Sequence, residues 1–285
     1  MKRAIVTLAI GEKYINLFNN HCRSNWLLYT KKYDIDLIVI ESPIDTSDIA
    51  KNRSPAWQKC LILKDERVKN YDQVAWVDSD ILINPNSPNI FEFVKEDEIG
   101  AVDGYSVPDR ENHIRILEDR YKYWESINLP YIENLHPHEY HNVFGLPDKF
   151  DYVVQTGVIV LSPKYHADIL EYVYYNYEDK GGPEWNYEMR PLSYELQKNC
   201  NIKWLNYKFN ATWDSIKNTY FPFLRENKKS ILMKLISRIP FTISLFKNEK
   251  LTKKCMFSTY ESVYFFHFAG CADKMKFFDE YEHKL

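Results

Sequence analysis

The chain has 285 residues, a formal charge of −3, and an aromatic excess led by 22 Tyr and 16 Phe. That length buries a substantial core in one large domain or two small ones, and so slight an acidic balance gives no argument for general nucleic-acid binding. The five cysteines (Cys22, Cys60, Cys200, Cys255, Cys271) are scattered and form no CxxC pair, which argues against a disulfide frame or zinc site and for reduced, mostly buried thiols in a cytosolic protein.

Ala4–Ile10 is a continuous apolar, β-branched run, as expected of a buried parallel strand. It stops at Gly11-Glu12-Lys13, too soon for a signal peptide. No apolar run reaches the ~20 residues that span a bilayer. Glu12–Tyr33 carries Tyr14, Leu17, Phe18, Trp26 and Leu28 at roughly helical intervals, and Asp36–Glu41 reads as a second strand. After a polar loop, Ala56–Lys69 predicts a helix with Trp57, Cys60, Leu61 and Leu63 inward. A third strand, Tyr71–Val77, delivers Asp78-Ser79-Asp80. Strand, helix, strand, helix, strand is the order of a doubly wound α/β sheet, whose ligands lie beyond the carboxyl ends of its strands.

Ile99–Asp103 predicts another short strand ending in an acid. Pro108–Phe150 is expected to be helix plus long loop, and its His136-Pro-His138-Glu-Tyr-His141 fits no closed zinc spacing, so a surface loop is the better reading. Tyr152–Leu161 is a strand interrupted by Gln155-Thr156-Gly157, where the glycine implies a close approach. Helices are expected over Pro163–Tyr177 and, after Gly181-Gly182-Pro183, over Glu184–Asn199, followed by strand Ile202–Asn206. Lys228–Lys254 is basic and amphipathic around Ile231, Leu232, Leu235, Ile236 and Ile239, with Pro240 breaking it. Three readings stand for it: peripheral membrane contact, a helix packed on the domain, or an oligomer contact.

Asp78 and Asp80, two apart in extended chain, are expected to point the same way. Paired carboxylates repel unless a cation sits between them, and hard oxygen ligands suit Mg²⁺ or Mn²⁺ shared with phosphates. A solvated strand end is the plain alternative. His267, taken alone, is equally a packed residue among Tyr264, Phe265, Phe266 and Phe268.

In combination these segments resemble the GT-A fold glycosyltransferases, most closely the family 8 type that includes glycogenin and bacterial lipopolysaccharide galactosyltransferases. The matching segments are Ile5–Gly11, Tyr71–Asp80, Gln155–Leu161, Lys203–Asn210 and His267-Phe-Ala-Gly270, in the family's order across roughly residues 3–275. The resemblance implies a GT-A, Rossmann-like, mixed and mainly parallel sheet flanked by helices. It implies a UDP-sugar donor and a hexose transferred to a glycan, lipid-linked saccharide or protein. Asp78, Asp80 and His267 would bind the metal, Mn²⁺ in preference to Mg²⁺ because imidazole favours transition metals. The departures are Gln155 in place of the family's Asn, and Lys274 one residue late with no Pro-Trp following. Pro108–Phe150 and Lys228–Lys254 have no counterpart.

For the nucleotide, the candidates are Thr7, Ala9, Gly11 and Tyr14 at the base, Lys59 or Arg53 at the phosphates, and Asp78 with Ser79 at the ribose side. Asp103 is a candidate for sugar hydroxyls, and Gly270 with Lys274 for the diphosphate. Lys59 is alternatively a surface residue of its helix. Glu188 is the candidate general base if the reaction inverts the anomeric centre; Glu184 is its rival, and a first-turn carboxylate on the helix dipole is its structural alternative. The resemblance implies retention instead, with Gln155 near the anomeric carbon and the leaving phosphate taking up the acceptor proton. Two other readings stand: a non-catalytic nucleotide-sugar or glycan-binding domain, and a haloacid-dehalogenase-type phosphohydrolase with Asp78 as nucleophile. The expected organisation is a catalytic domain over 1–224, with a nucleotide half at 1–103 and an acceptor half at 104–224. A basic insertion at 225–256 and a segment at 257–285 returning to the metal site complete it.

Overall fold

Apolar runs of four to eight residues with no alternation predict strands covered on both faces, and the central sheet is built that way. In the computed structural model, the described residues are 1–126, 136–142, 145–181, 187–224 and 249–279. Six strands line up in the order β2-β1-β3-β6-β5-β7, namely Asp36–Ile40, Arg3–Leu8, Gln73–Val77, Val154–Leu161, Ile99–Asp103 and Ile202–Trp204. The β2-β1-β3 half is parallel, and β5 pairs parallel with β7. Strand β6 runs antiparallel to both β3 and β5, so the expected mixed, mainly parallel sheet is found and β6 is its inverted member.

Alternate residues serve opposite faces. Ala75 and Val77 of β3, with Val158 and Val160 of β6, pack into one apolar layer. Val74, Trp76, Ile159 and Leu161 pack into the other. The first layer is closed by α1 (Glu12–His21) and α2 (Arg23–Tyr33) through Phe18, Trp26 and Tyr29. The second is closed by the 3-10 helix Pro55–Lys64, by α6 (Pro163–Asn176) and by α7 (Met189–Asn199), through Trp57, Leu61, Leu170, Val173 and Leu192. Between α2 and α6 the chain also forms α3 (Asp48–Lys51), α4 (Arg110–Ser126) and α5 (Pro137–Asn142). Pro163 opens α6 at its first turn, where a missing N–H costs nothing.

A second sheet of three short strands, β4-β9-β8, sits beside the first. It joins Ile81–Ile83, Phe265–His267 and Ala211–Thr212. Helix α2 clamps its outer strand: Asn25 exchanges two hydrogen bonds with the Ile83 backbone at 2.8 and 2.7 Å, and Trp26 Nε1 donates to Ile81 O at 2.7 Å. The C-terminal part arrives through helices α8 (Trp213–Tyr220) and α9 (Glu249–Ser262).

Several expectations are corrected here. The single helix over Glu12–Tyr33 is two helices that meet at Cys22. Ala56–Lys69 is a 3-10 helix ending at Lys64. Lys203–Asn210 is strand only to Trp204 and then a 3-10 turn, Tyr207–Asn210. His141 is not on a surface loop: it lies on α5, fully buried, within 3.2 Å of Ser193 Oγ. The basic stretch Lys228–Lys254 falls largely outside the described residues, as does Glu184. Helix α9 runs across the expected boundary at 256, with Cys255, Met256, Thr259 and Tyr260 buried. No described helix is long and apolar enough to cross a membrane.

Candidate functional site

Asp78 and Asp80 are not on an extended strand. They occupy the tight turn between β3 and β4, and the turn itself brings the two carboxylates together. Each of its residues is held by a different element. Asp78 N donates to Gly157 O of β6 at 2.8 Å, Cys22 Sγ to Ser79 O at 3.3 Å, and Phe268 N to Asp80 O at 3.0 Å. Strand β9 pairs Ile81 with His267, which seats that imidazole against the turn.

His267 Nε2 lies 3.2 Å from Asp80 Oδ1 and 3.8 Å from Asp78 Oδ2. One ligand atom from each of Asp78, Asp80 and His267 fits within 4.8 Å of the others, and this is the one such cluster found among the described residues. Burial pushes the His267 imidazole down, but the adjacent Asp80 carboxylate outweighs it and the pKa is raised. Burial likewise pushes Asp80 up, and His267 reverses that to a net lowering. The pair therefore carries complementary charge where two acids would otherwise repel.

Lys59 is buried, 4% exposed, which removes the surface-residue alternative. Its ammonium donates to Glu188 Oε1 at 2.7 Å and to Thr156 O at 3.0 Å, and sits 3.2 Å from Asp78 Oδ1. Burial disfavours that charge, but Asp78 and Glu188 together hold its pKa above the usual lysine value. Glu188 is also 4% exposed. It occupies the N-cap position of α7 without capping it through its side chain, so its carboxylate serves Lys59 and Thr156 Oγ1 rather than the helix dipole.

These groups floor an open cleft of about 450 Å³. Leu8, Ile10, Tyr14 and Leu17, from the end of β1 and from α1, line it, as do Ser54, Pro55, Ala56 and Tyr187. Ser79, Asp80, Gln155, Thr156, His267, Ala269 and Gly270 complete it. Tyr14 and Tyr187 are 52% and 45% exposed, the latter with φ of 55°. Tyrosine rarely takes that left-handed backbone.

Among the base-site candidates, Tyr14 lines the cleft, but Thr7 and Ala9 are fully buried in the sheet, and Leu8 and Ile10 face the cleft in their place. Gly11 caps α1 with φ of 87°, next to Ile10 in the chain but not lining the cleft. Two acidic and basic candidates are committed elsewhere. Asp103 is buried and accepts from Tyr105 N, Ser106 Oγ, Arg110 Nη2 and Val153 N, so it ties a loop instead of meeting a sugar. Arg53 donates to the Tyr174 and Tyr177 carbonyls and lies over the Trp57 and Tyr174 rings, which removes it from the phosphates. Lys274 does not line the cleft, whereas Gly270 does.

Three contributors lie in segments the sequence singled out but received no role there. Trp76 Nε1 donates to Asp78 Oδ1 at 2.8 Å. Thr156 and Asn210 bind Glu188 and His267 respectively. A tryptophan two residues before a strand-end acid, on the same strand face, was the available signal for the first. The hydrolase reading required Asp78 free as a nucleophile, but it is held by Trp76 and Lys59.

No protein-family model matches the sequence, and no curated protein matches it either. Solved structures do. A glycosyltransferase involved in the glycosylation of the major capsid of PBCV-1 aligns over 99% of this chain and 100% of its own, with 13% identity and a TM-score of 0.49. The galactosyltransferase LgtC, solved with donor and acceptor sugar analogues, aligns over 99% of this chain and 100% of its own, with 12% identity and a TM-score of 0.47. Mouse xyloside xylosyltransferase 1 aligns over 82% of this chain and 93% of its own, with 9% identity and a TM-score of 0.38.

Proposed function

We propose that the chain is a GT-A-type, divalent-metal-dependent glycosyltransferase that moves a hexose from a UDP-sugar to a glycan, lipid-linked saccharide or protein acceptor, with retention. The observation that carries this reading is the Asp78–Asp80–His267 cluster in a cleft that Tyr14 also lines. The donor set fits such an ion. His267 Nδ1 is engaged by Asn210 Oδ1 at 2.8 Å, so Nε2 is directed at the two carboxylates, the arrangement found behind metal-bound histidines. Two carboxylates with one imidazole favour Mn²⁺, with Mg²⁺ as the alternative. Bound there, the metal would act as a Lewis acid on the leaving diphosphate.

The chain's own groups then divide the work. Tyr14 offers a half-exposed ring on which a pyrimidine stacks. Lys59 holds Asp78 and Glu188 in register from below. Gln155 faces the cleft beside the cluster, where the donor sugar would sit. Retention is supported by Glu188: its carboxylate is buried and bonded to Lys59 and Thr156, a poor starting point for a base that must take an acceptor proton. The diphosphate oxygens take that proton in this reading.

The test is a calorimetric titration of UDP, GDP and CDP with Mn²⁺ and then with a chelator. UDP binding that needs the metal and is lost in Asp80→Ala is the expected result. GDP preference would keep the transferase and overturn the base assignment. Absence of nucleotide binding under both conditions would end the reading.

A further inference from the structure

The side chains behind the cluster form a hydrogen-bonded chain whose direction is dictated at one end. Gly157 N donates to Gln155 Oε1 at 2.7 Å. A backbone N–H is only ever a donor, so the Gln155 amide must present its oxygen there. The same oxygen is approached by Asn210 Nδ2, and Asn210 is fully buried. Because Oε1 is an acceptor, Asn210 must offer its NH₂ to it and turn its own oxygen to His267 Nδ1, 2.8 Å away. An oxygen accepts, so Nδ1 carries the hydrogen in the neutral imidazole and Nε2 keeps its lone pair. Reversing Gln155 or Asn210 sets two donors or two acceptors against each other in a buried site, where there is no water to relieve them; the Nε2 lone pair, 3.2 Å from Asp80 Oδ1, is satisfied once a cation lies between them.

We infer that Asn210 is a positioning residue that fixes two functional groups at once: it sets the His267 tautomer that leaves Nε2 to ligate the metal, and it turns Gln155 so that its NH₂ faces the cleft. Among the described residues that NH₂ has no acceptor, and Gln155 lines the cleft. It is therefore a hydrogen-bond donor toward whatever oxygen of the substrate lies there, and has no capacity as a nucleophile. The part concerning Gln155 and substrate rests on the glycosyltransferase reading; the part concerning Asn210 and His267 does not.

Both parts have a direct test. In protein labelled with ¹⁵N-histidine and saturated with diamagnetic Mg²⁺, two-bond ¹H–¹⁵N spectra distinguish the two tautomers, with His267→Gln assigning the signals. The expected wild-type form bears its hydrogen on Nδ1. Asn210→Leu is expected to shift it toward the Nε2–H form and to weaken Mn²⁺ binding roughly ten- to a hundredfold. Asn210→Asp still accepts from Nδ1 and should retain the Nδ1–H tautomer, although its second oxygen now meets Gln155 Oε1, which keeps its hydrogen bond from Gly157 N. A wild-type Nε2–H signal, or unchanged tautomer and Mn²⁺ affinity in Asn210→Leu, overturns the inference. If Asn210→Leu does not fold, loss of the Nδ1–H signal in Asn210→Asp overturns it equally.

For the cleft side, Gln155→Glu keeps both acceptor contacts and loses the donor. It should leave the Mn²⁺ and UDP affinities near wild type while weakening UDP-galactose and UDP-glucose relative to UDP. Equal weakening of UDP and UDP-sugars would remove the sugar-side role of the NH₂. Correct tautomers without any nucleotide binding would instead retire the transferase reading and leave the Asn210 assignment standing.

Discussion

Gly157→Ala isolates how tightly the imidazole is packed onto the sheet. A methyl group built at Gly157 would stand 2.6 Å from His267 Cε1, 2.8 Å from Nδ1 and 2.9 Å from Gln155 Oε1. Ordinary carbon–carbon contact is about 3.5 Å or more, so the ring must retreat by about 0.9 Å. Strand β6 cannot give way in its place, because it is paired on both sides by β3 and β5. A retreat of that size, with Nε2 now 3.2 Å from Asp80, spoils a ligand geometry that tolerates only about 0.2 Å. The expected loss of Mn²⁺ affinity is about ten- to a hundredfold, equivalent to about 1.4–2.8 kcal/mol, with a further ~1–3 kcal/mol of overpacking taken from stability. Titration of Mn²⁺ followed by electron paramagnetic resonance of the free ion reads the first, and urea unfolding the second. A Gly157→Ala protein that binds Mn²⁺ within twofold of wild type and melts with it would refute the packing argument.

Lys59→Met should destabilise the protein by about 3–5 kcal/mol in urea unfolding, because it strands the buried Glu188 carboxylate; Lys59→Met with Glu188→Leu should recover much of that, and equal losses in both would deny the pairing its structural role. Tyr14→Ala should weaken UDP by about 1–3 kcal/mol through lost stacking while sparing Mn²⁺ affinity measured without nucleotide; unchanged UDP affinity would move the base elsewhere. The His267 pKa lies above the ordinary 6.5 in the metal-free protein. The stability drawn from its pairing with Asp80 is thus complete below the unfolded value and lost as pH rises through the folded one. Mn²⁺ must displace that proton, so its apparent affinity should climb up to about tenfold per pH unit until the folded value is passed and then level off. A flat Mn²⁺ titration across that window would argue against Nε2 as a ligand.

Much of this arrangement was legible in the sequence. Apolar runs marked β1 and β3, and β6 on either side of its Gln155-Thr156-Gly157 interruption, since a strand buried on both faces is mostly apolar. The same property hid which residues face the cleft: with no alternation, Thr7 and Ala9 could not be told from Leu8 and Ile10. Asp78, Asp80 and His267 were joined as a set by the resemblance of their segments to the glycosyltransferase motifs, and they do come within ligand distance of one another. Asp103 was misleading because an acid at a strand end serves a turn as readily as a ligand, and here it accepts from the backbone of Tyr105 and Val153. Arg53 and Lys59 exchanged expectations for a similar reason. Sequence gives the charge of a side chain but not the carbonyls of Tyr174 and Tyr177 or the Glu188 carboxylate that claim it. The inverted course of β6 depends on a long connection with no local signature.

Strand β9 has a consequence for the order in which the protein comes into being. His267 reaches the Asp78–Asp80 turn only because β9 lodges between β4 and β8, and it lies far later in the chain than either aspartate. At ordinary rates of translation, the stretch from Asp80 to His267 takes roughly ten to forty seconds to emerge. Lys59, by contrast, leaves the ribosome before Asp78, so the cation that pairs with Asp78 in the folded protein already exists when the aspartates emerge. The histidine arm of the site is a late arrival, and a nascent chain arrested short of β9 holds its acids with a lysine as their one local counter-charge from the site. On the proposed reading, the complete three-ligand set is thereby reserved for chains in which β9 has emerged and paired with β4 and β8.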